Sequence, residues 1–163
     1  MGASSRHRRA PRPTGTIRTR TARFRGAPLT VLLDTHIWIW WLTGGGSLTR
    51  AERDALDAEA ERHPPRISAI TLWEAQMLHE RGRLKLTAPF ETWLLEATAP
   101  GVVEILPLAT SVILELNRLP ETFHGDPADR IIVSTARAFE TALATHDRKI
   151  RQSRLVQLWK PAS

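Results

Sequence analysis

With 163 residues, 42% of them apolar, the chain has material for one domain with a hydrophobic core and not comfortably for two. It contains no cysteine, which excludes a disulfide scaffold, a thiolate metal site and a cysteine nucleophile; any metal must be held by carboxylates or imidazoles, a donor set that favours magnesium or manganese. The net charge of +6 belongs to residues 1–28, whose eight arginines (Arg6, Arg8, Arg9, Arg12, Arg18, Arg20, Arg23 and Arg25) meet no acidic residue, whereas residues 29–163 hold 15 basic and 17 acidic side chains.

Residues 1–28 are rich in Arg, Pro, Ser, Thr and Gly with almost no large apolar side chain, so this segment is expected to be a disordered basic extension. Three readings of it stand: an RNA-binding arm that neutralises phosphates, a transit peptide, or a start codon called too early, with the true start near Leu29 or Val31.

The body, residues 29–163, alternates strand-like and helix-like segments. A short apolar run at 30–33 ends in Asp34, as a buried parallel strand would. Residues 36–42 and 49–62 read as helices separated by Gly44, Gly45 and Gly46, the second with Thr49 as N-cap and Pro64-Pro65 beyond its end. A second strand at 66–70 precedes a helix from Leu72 to about Arg81, closed by Gly82. Pro89 opens a helix to 97, residues 102–106 form a third strand, and 110–118 a helix stopped by Pro120. A loop at 121–125 leads into a helix from Pro127 to about Glu140, then a fourth strand at 142–144 and a candidate fifth, at the edge, over 155–158. The expected fold class is therefore α/β, a central parallel sheet of four to five strands with helices on both faces. The longest apolar runs, at 31–33 and 37–42, are too short to span a membrane, and a soluble, cytoplasmic protein is expected.

In such a sheet, ligands bind beyond the carboxyl ends of the strands. Asp34 follows the first strand, Glu74 sits early in the helix after the second, Asp126 and Asp129 open the helix at Pro127, and Asp147 lies three residues beyond Ala144. Each has a purely structural explanation. Thr71-Leu72-Trp73-Glu74 matches a capping box, Asp126-Pro127-Ala128-Asp129 has the N-cap, proline and early acid any helix favours, and Asp34 and Asp147 suit turns. Four segments delivering carboxylates to one edge are harder to explain separately, because such a cluster repels itself without a cation. Metal-assisted phosphodiester hydrolysis fits this set, with a carboxylate off the metal free to orient or deprotonate water.

Four strings carry a family resemblance: Leu32-Leu33-Asp34-Thr35-His36-Ile37-Trp38; Ile67-Ser68-Ala69-Ile70-Thr71-Leu72-Trp73-Glu74; Phe123-His124-Gly125-Asp126-Pro127-Ala128-Asp129-Arg130-Ile131-Ile132-Val133; and Ala144-Thr145-His146-Asp147-Arg148-Lys149-Ile150. In order and spacing, across residues 29 to about 158, the chain resembles the PIN-domain toxins of VapC type. The resemblance implies a PIN-like fold, a magnesium- or manganese-dependent endoribonuclease acting on RNA, inhibition by a small antitoxin protein, and a homodimer. It assigns catalysis to Asp34, Glu74, Asp129 and Asp147, with Asp34, Asp129 and Asp147 on the metal and Glu74 and Asp126 reaching it directly or through water. Asp126 is an extra acid, either a cap or a supporting partner, and Thr145 matches a family hydroxyl that holds an acid or a water. The basic extension departs from the family, whose members usually begin almost at the first strand.

Arg130, Arg148, Lys149, Arg151 and Arg154 flank the acids in sequence and are candidate RNA phosphate contacts, weighed against an ordinary solvated surface. His36 and His124 adjoin acids, but a hydrogen-bonded or solvent-facing role is favoured over metal ligation. Trp38, Trp40 and Trp41 share one short helix and cannot all be core; one or two should be buried and an exposed remainder would serve a partner. Two rivals to the ribonuclease remain from other classes: a catalytically weak PIN domain acting as an RNA-binding or scaffold module, and a phosphatase or receiver-like domain. The dehalogenase-type version of the latter wants an aspartate two residues after Asp34, where His36 stands. A DNA-directed PIN-like nuclease would want a larger clamping insertion.

Overall fold

Side chains along residues 31–33 alternate between two cores: Val31 and Leu33 pack into one apolar cluster and Leu32 into the other, all three fully buried. That period of two is what a strand covered on both faces requires. The computed structural model describes residues 30–123 and 125–161. In chain order the elements are β1 (Leu32–Leu33), α1 (Thr35–Thr43), α2 (Arg50–Ala60), β2 (Arg66–Ser68), α3 (Ala69–Glu80), α4 (Phe90–Ala97), β3 (Glu104–Leu106), α5 (Thr110–Arg118), α6 (Pro127–Ala138), β4 (Leu143–Ala144) and α7 (Arg148–Ser153). The strands form one parallel sheet in the order β3-β2-β1-β4, with Leu33 opposite both Ile67 and Ala144.

One core cluster gathers α1, α2 and α4 around Trp38, Leu56, Ile67 and Ala97; the other gathers α5, α6 and α7 around Leu119, Ile132, Val133 and Ile150. α5 packs along α6, where Glu115 joins Arg137 at 2.8 Å and Arg118 at 2.6 Å. Of the tryptophans on α1, Trp38 is fully buried, while Trp40 and Trp41 are half-buried against the same cluster. The α/β class, the parallel sheet and the two helical layers are as the sequence predicts.

Local details differ in four places. The helix after β2 begins at Ala69, with Ser68 as N-cap, so 69–70 are helix and not strand. Thr71 is therefore inside the first turn, the capping box at Thr71-Glu74 does not form, and Glu74 lies in the second turn. The true capping box is one helix earlier: Glu52 N–H donates to the Thr49 hydroxyl at 3.2 Å and Thr49 N–H to Glu52 Oε2 at 2.8 Å. Residues 148–153, with no apolar periodicity to betray them, form α7, capped by Asp147, whose carboxylate accepts from Ile150 N–H at 2.8 Å. The candidate fifth strand reduces to one parallel bridge between Leu143 and Leu158. Residues 1–28 and His124 lie outside the described residues.

Candidate active site

The parallel register aligns the ends of β1, β2 and β4, so whatever follows Leu33, Ser68 and Ala144 shares one edge. Asp34 stands at the N-cap position of α1 but makes no side-chain cap bond, and it is only 5% exposed. A buried carboxylate there needs another donor. The Thr145 hydroxyl supplies it, donating to Asp34 Oδ2 at 2.5 Å, while Thr145 Oγ1 itself accepts Asp147 N–H at 3.0 Å. Thr145 thus ties the acid after β1 to the acid after β4.

Glu74 reaches back to α1, where the Thr35 hydroxyl donates to its Oε2. The fully buried Thr35 and Thr71 hydroxyls lie 3.3 Å apart beneath it. Burial, reinforced by the charges of Asp34 and Asp126, lifts Glu74 to about 7 despite the Thr35 bond. Burial likewise lifts Asp129 to about 7, with Asp34, Asp126, Asp147 and Glu74 all pushing the same way. Asp34 is raised by burial and by Asp147, against the pull of Thr145 and the neighbouring His36. Asp129 is thus coupled to each of the other four acids.

Asp126 does two jobs. Its Oδ1 caps α6 through Ala128 N–H at 2.9 Å and Asp129 N–H at 3.2 Å, and its charge acts on Glu74 and Asp129. Asp126 and Asp147 are thus true caps, whereas Asp34 makes no side-chain cap bond to α1 and Glu74 lies in the second turn of α3. Arg148 and Lys149 are exposed on α7, just after Asp147. Arg130 is half-buried, donates to the Phe123 carbonyl at 3.1 Å and lines a cavity of about 650 Å³ between α5 and α6. His36 is exposed, its ring 5.7 Å from that of Trp40.

Residues 31–154 match the family model of the PIN domain. The chain belongs to the PIN-domain family. Ribonuclease VapC22 of Mycobacterium tuberculosis is 34% identical over 125 residues, spanning 77% of this chain and 92% of that protein. Among solved structures, VapBC2 from Rickettsia felis bound to a DNA fragment from its promoter has a TM-score of 0.60 at 17% identity, covering 80% of this chain and 97% of that one. DNA-bound VapBC from Salmonella typhimurium has a TM-score of 0.60 at 19% identity, with 81% and 98% covered. FitAcB from Neisseria gonorrhoeae has a TM-score of 0.58 at 23% identity, again with 81% and 98% covered. The structural likenesses show the fold.

This PIN domain also uses residues that sequence reasoning missed. His146, between Thr145 and Asp147, meets Glu52 Oε1 on α2 at 2.8 Å, its Nδ1 lies 3.5 Å from Ser47 Oγ, and its ring is 5.8 Å from Trp40. Glu52 is partly buried, which raises its carboxyl, but the bonds from His146 and Thr49 win and hold it below its ordinary value. The loop bearing Thr145 and Asp147 is thereby clasped to the start of α2. Of this arrangement the sequence shows only Thr49 as N-cap; the histidine, 94 residues from Glu52, carries no local signal.

Proposed function

We propose that this PIN domain is a divalent-metal-dependent endoribonuclease, the toxin of a toxin–antitoxin module, working in the cytoplasm on RNA and held in check by a small antitoxin protein. The observation that carries this reading is the electrostatic coupling of Asp129 to Asp34, Glu74, Asp126 and Asp147 at one sheet edge. It is supported by the relative named as a ribonuclease and by neighbours that are VapBC assemblies. A homodimer is part of the same proposal, carried over from the family resemblance. No helix among the described residues is long and apolar enough to cross a membrane.

The donor set fits a hard cation. It is all oxygen, and carboxyls held at about 7 by burial and mutual repulsion regain their charge when a cation joins them. Among the described residues no three acidic or imidazole groups already close on a common point, so water or substrate would complete the shell, as magnesium tolerates. Asp34, Asp129 and Asp147 would hold the ion, with Glu74 and Asp126 joining directly or through water. Bound there, it would polarise a phosphate oxygen and acidify a water. The chain's own contribution is positional. Thr145 fixes the rotamer of Asp34, and Thr35 aims Glu74. Glu74, titrating at about 7, exchanges a proton readily at neutral pH and suits the role of base toward the attacking water. Arg130, Arg148 and Lys149 stand as candidate phosphate contacts, the two exposed α7 cations the better placed.

The test is cleavage of total RNA by the purified chain with magnesium or manganese and with EDTA, beside Asp34→Asn and Asp129→Ala. Metal-dependent cleavage lost in both variants, with melting curves intact, is the expected result. Full activity in Asp34→Asn would overturn the proposed site.

A further inference from the structure

An RNA strand must be held beside five mutually repelling carboxylates, so cations outside ion pairs have to stand close by. On the ribonuclease reading, α7 and the segment after it provide them. Arg151 lies one turn beyond the capping Asp147, roughly 6 Å along the helix axis. Arg154 ends α7 in the left-handed conformation, φ 57°, and redirects the chain. The segment then returns to the sheet and runs parallel to β4: Leu143 N–H donates to the Gln157 carbonyl and Trp159 N–H to the Leu143 carbonyl, both at 2.9 Å. This return delivers Lys160. Arg151, Arg154 and Lys160 are exposed, and none of them joins an ion pair among the described residues.

These side chains line two cavities that share part of their walls. One, of about 170 Å³, is bordered by Thr145, His146, Arg151 and Lys160, and so adjoins the residue whose hydroxyl holds Asp34. A second, of about 640 Å³, shares Arg151, Trp159 and Lys160 with it and extends to Arg154 and Gln157. Each cavity has one acid: Glu52 in the first, held by His146 at 2.8 Å, and Glu59 in the second, its Oε1 engaged by the Trp159 indole N–H at 2.6 Å. A cationic groove with an aromatic wall is the arrangement that holds single strands, the cations following phosphates and the ring offering a face to bases.

The geometry points to a binding track for single-stranded RNA from Thr145 past Arg151 and Lys160 to Arg154, with Trp159 in its wall. The backbone leaves the acidic centre across the β4–α7 side of the molecule. Of the candidate cations read from sequence adjacency, Arg151 and Arg154 line this groove and Arg130, Arg148 and Lys149 do not; Lys160 is the cation that only the structure adds.

The experiment is fluorescence anisotropy of a labelled mixed-sequence oligoribonucleotide against the full chain carrying Asp34→Asn to prevent cleavage, across a potassium chloride titration. Arg151→Ala, Lys160→Ala and Arg154→Asn (asparagine tolerates positive φ) should each flatten the plot of log affinity against log salt by about 0.7, and the triple variant by about 2. Arg151→Lys should keep the parent slope, which a merely damaged fold would not. Arg83→Ala, an exposed cation beyond α3, should leave the slope unchanged. Residues 1–28 add the same charge to every variant and cancel in the differences. A triple variant with the parent's slope, or equal flattening by Arg83→Ala, overturns the track while leaving the ribonuclease standing. Failure of the parent to bind RNA at any salt overturns the ribonuclease reading itself.

Discussion

Thr145 is the most economical residue of the site, because one hydroxyl both donates to a buried carboxylate and accepts the amide of the next acid. Replacing it with valine keeps the shape and strands both partners. Thr145→Val is expected to cost about 1–3 kcal/mol in thermal or urea unfolding and to lower cleavage sharply, since Asp34 loses its orientation. Unchanged stability and activity would show that the hydroxyl is incidental. Glu74 and Asp129 make a second prediction, through pH. Both are raised to about 7 in the folded chain, against roughly 4 when unfolded. Between those values the folded state binds more protons, so their contribution to stability is fully present below about pH 4 and is lost as pH rises through about 7. In EDTA the melting temperature should therefore decline across that window, Asp129→Asn should flatten the decline, and magnesium should raise the parent's melting temperature more at pH 8 than at pH 5. A parent and variant with parallel curves would contradict the coupling of these acids.

At the scale of elements, the acids are positioned by how helices begin. Asp126 and Asp147 cap α6 and α7 through their own carboxylates, so local sequence accounts for their placement. Glu74 depends on the early start of α3, which brings it to Thr35 of α1. The sequence reading placed that start at Leu72 because 66–70 is apolar and β-like; tertiary packing took 69–70 into the helix instead. The turn after α1 is equally specific. Gly44 ends the helix at φ 73°, its N–H donating to the Trp40 carbonyl. Gly46, at φ 71°, lies so close to Trp40 that a Cβ would sit 2.2 Å from the ring. Because that ring also neighbours His146, Gly46→Ala should disturb the His146–Glu52 clasp as well as the turn. The expected cost is above about 1 kcal/mol, combining left-handed strain with the clash, and it should come with weaker cleavage. Gly45→Ala, where the nearest atom to an added Cβ is a side-chain oxygen at 3.6 Å, should be near neutral, and an equal loss in both would remove the special status of Gly46.

Among the described residues, packing rests on two apolar layers and the sheet between them, and residues 1–28 offer almost no large apolar side chain to add to it. Deleting residues 1–28 is accordingly expected to leave the melting temperature unchanged while reducing the salt-dependent part of RNA binding, since eight arginines are removed. A large fall in melting temperature would mean that the extension packs. The sequence by itself determined the alternation of strands and helices, the parallel sheet, the two buried faces and the candidate acids Asp34, Glu74, Asp126, Asp129 and Asp147. Those features are local or periodic: an apolar run of fixed length, a proline after an N-cap, a carboxylate at the end of a strand. What only the tertiary structure decided is who meets whom: Thr145 on Asp34, Thr35 on Glu74, His146 on Glu52, and the C-terminal segment bringing Lys160 beside Arg151. The three hydrogen-bonded pairs lie 111, 39 and 94 residues apart in the chain, and no local pattern of propensity or periodicity encodes a meeting across such distances. It is set by the register of β1 against β2 and β4, where two fully buried faces hold each strand's alternation in place.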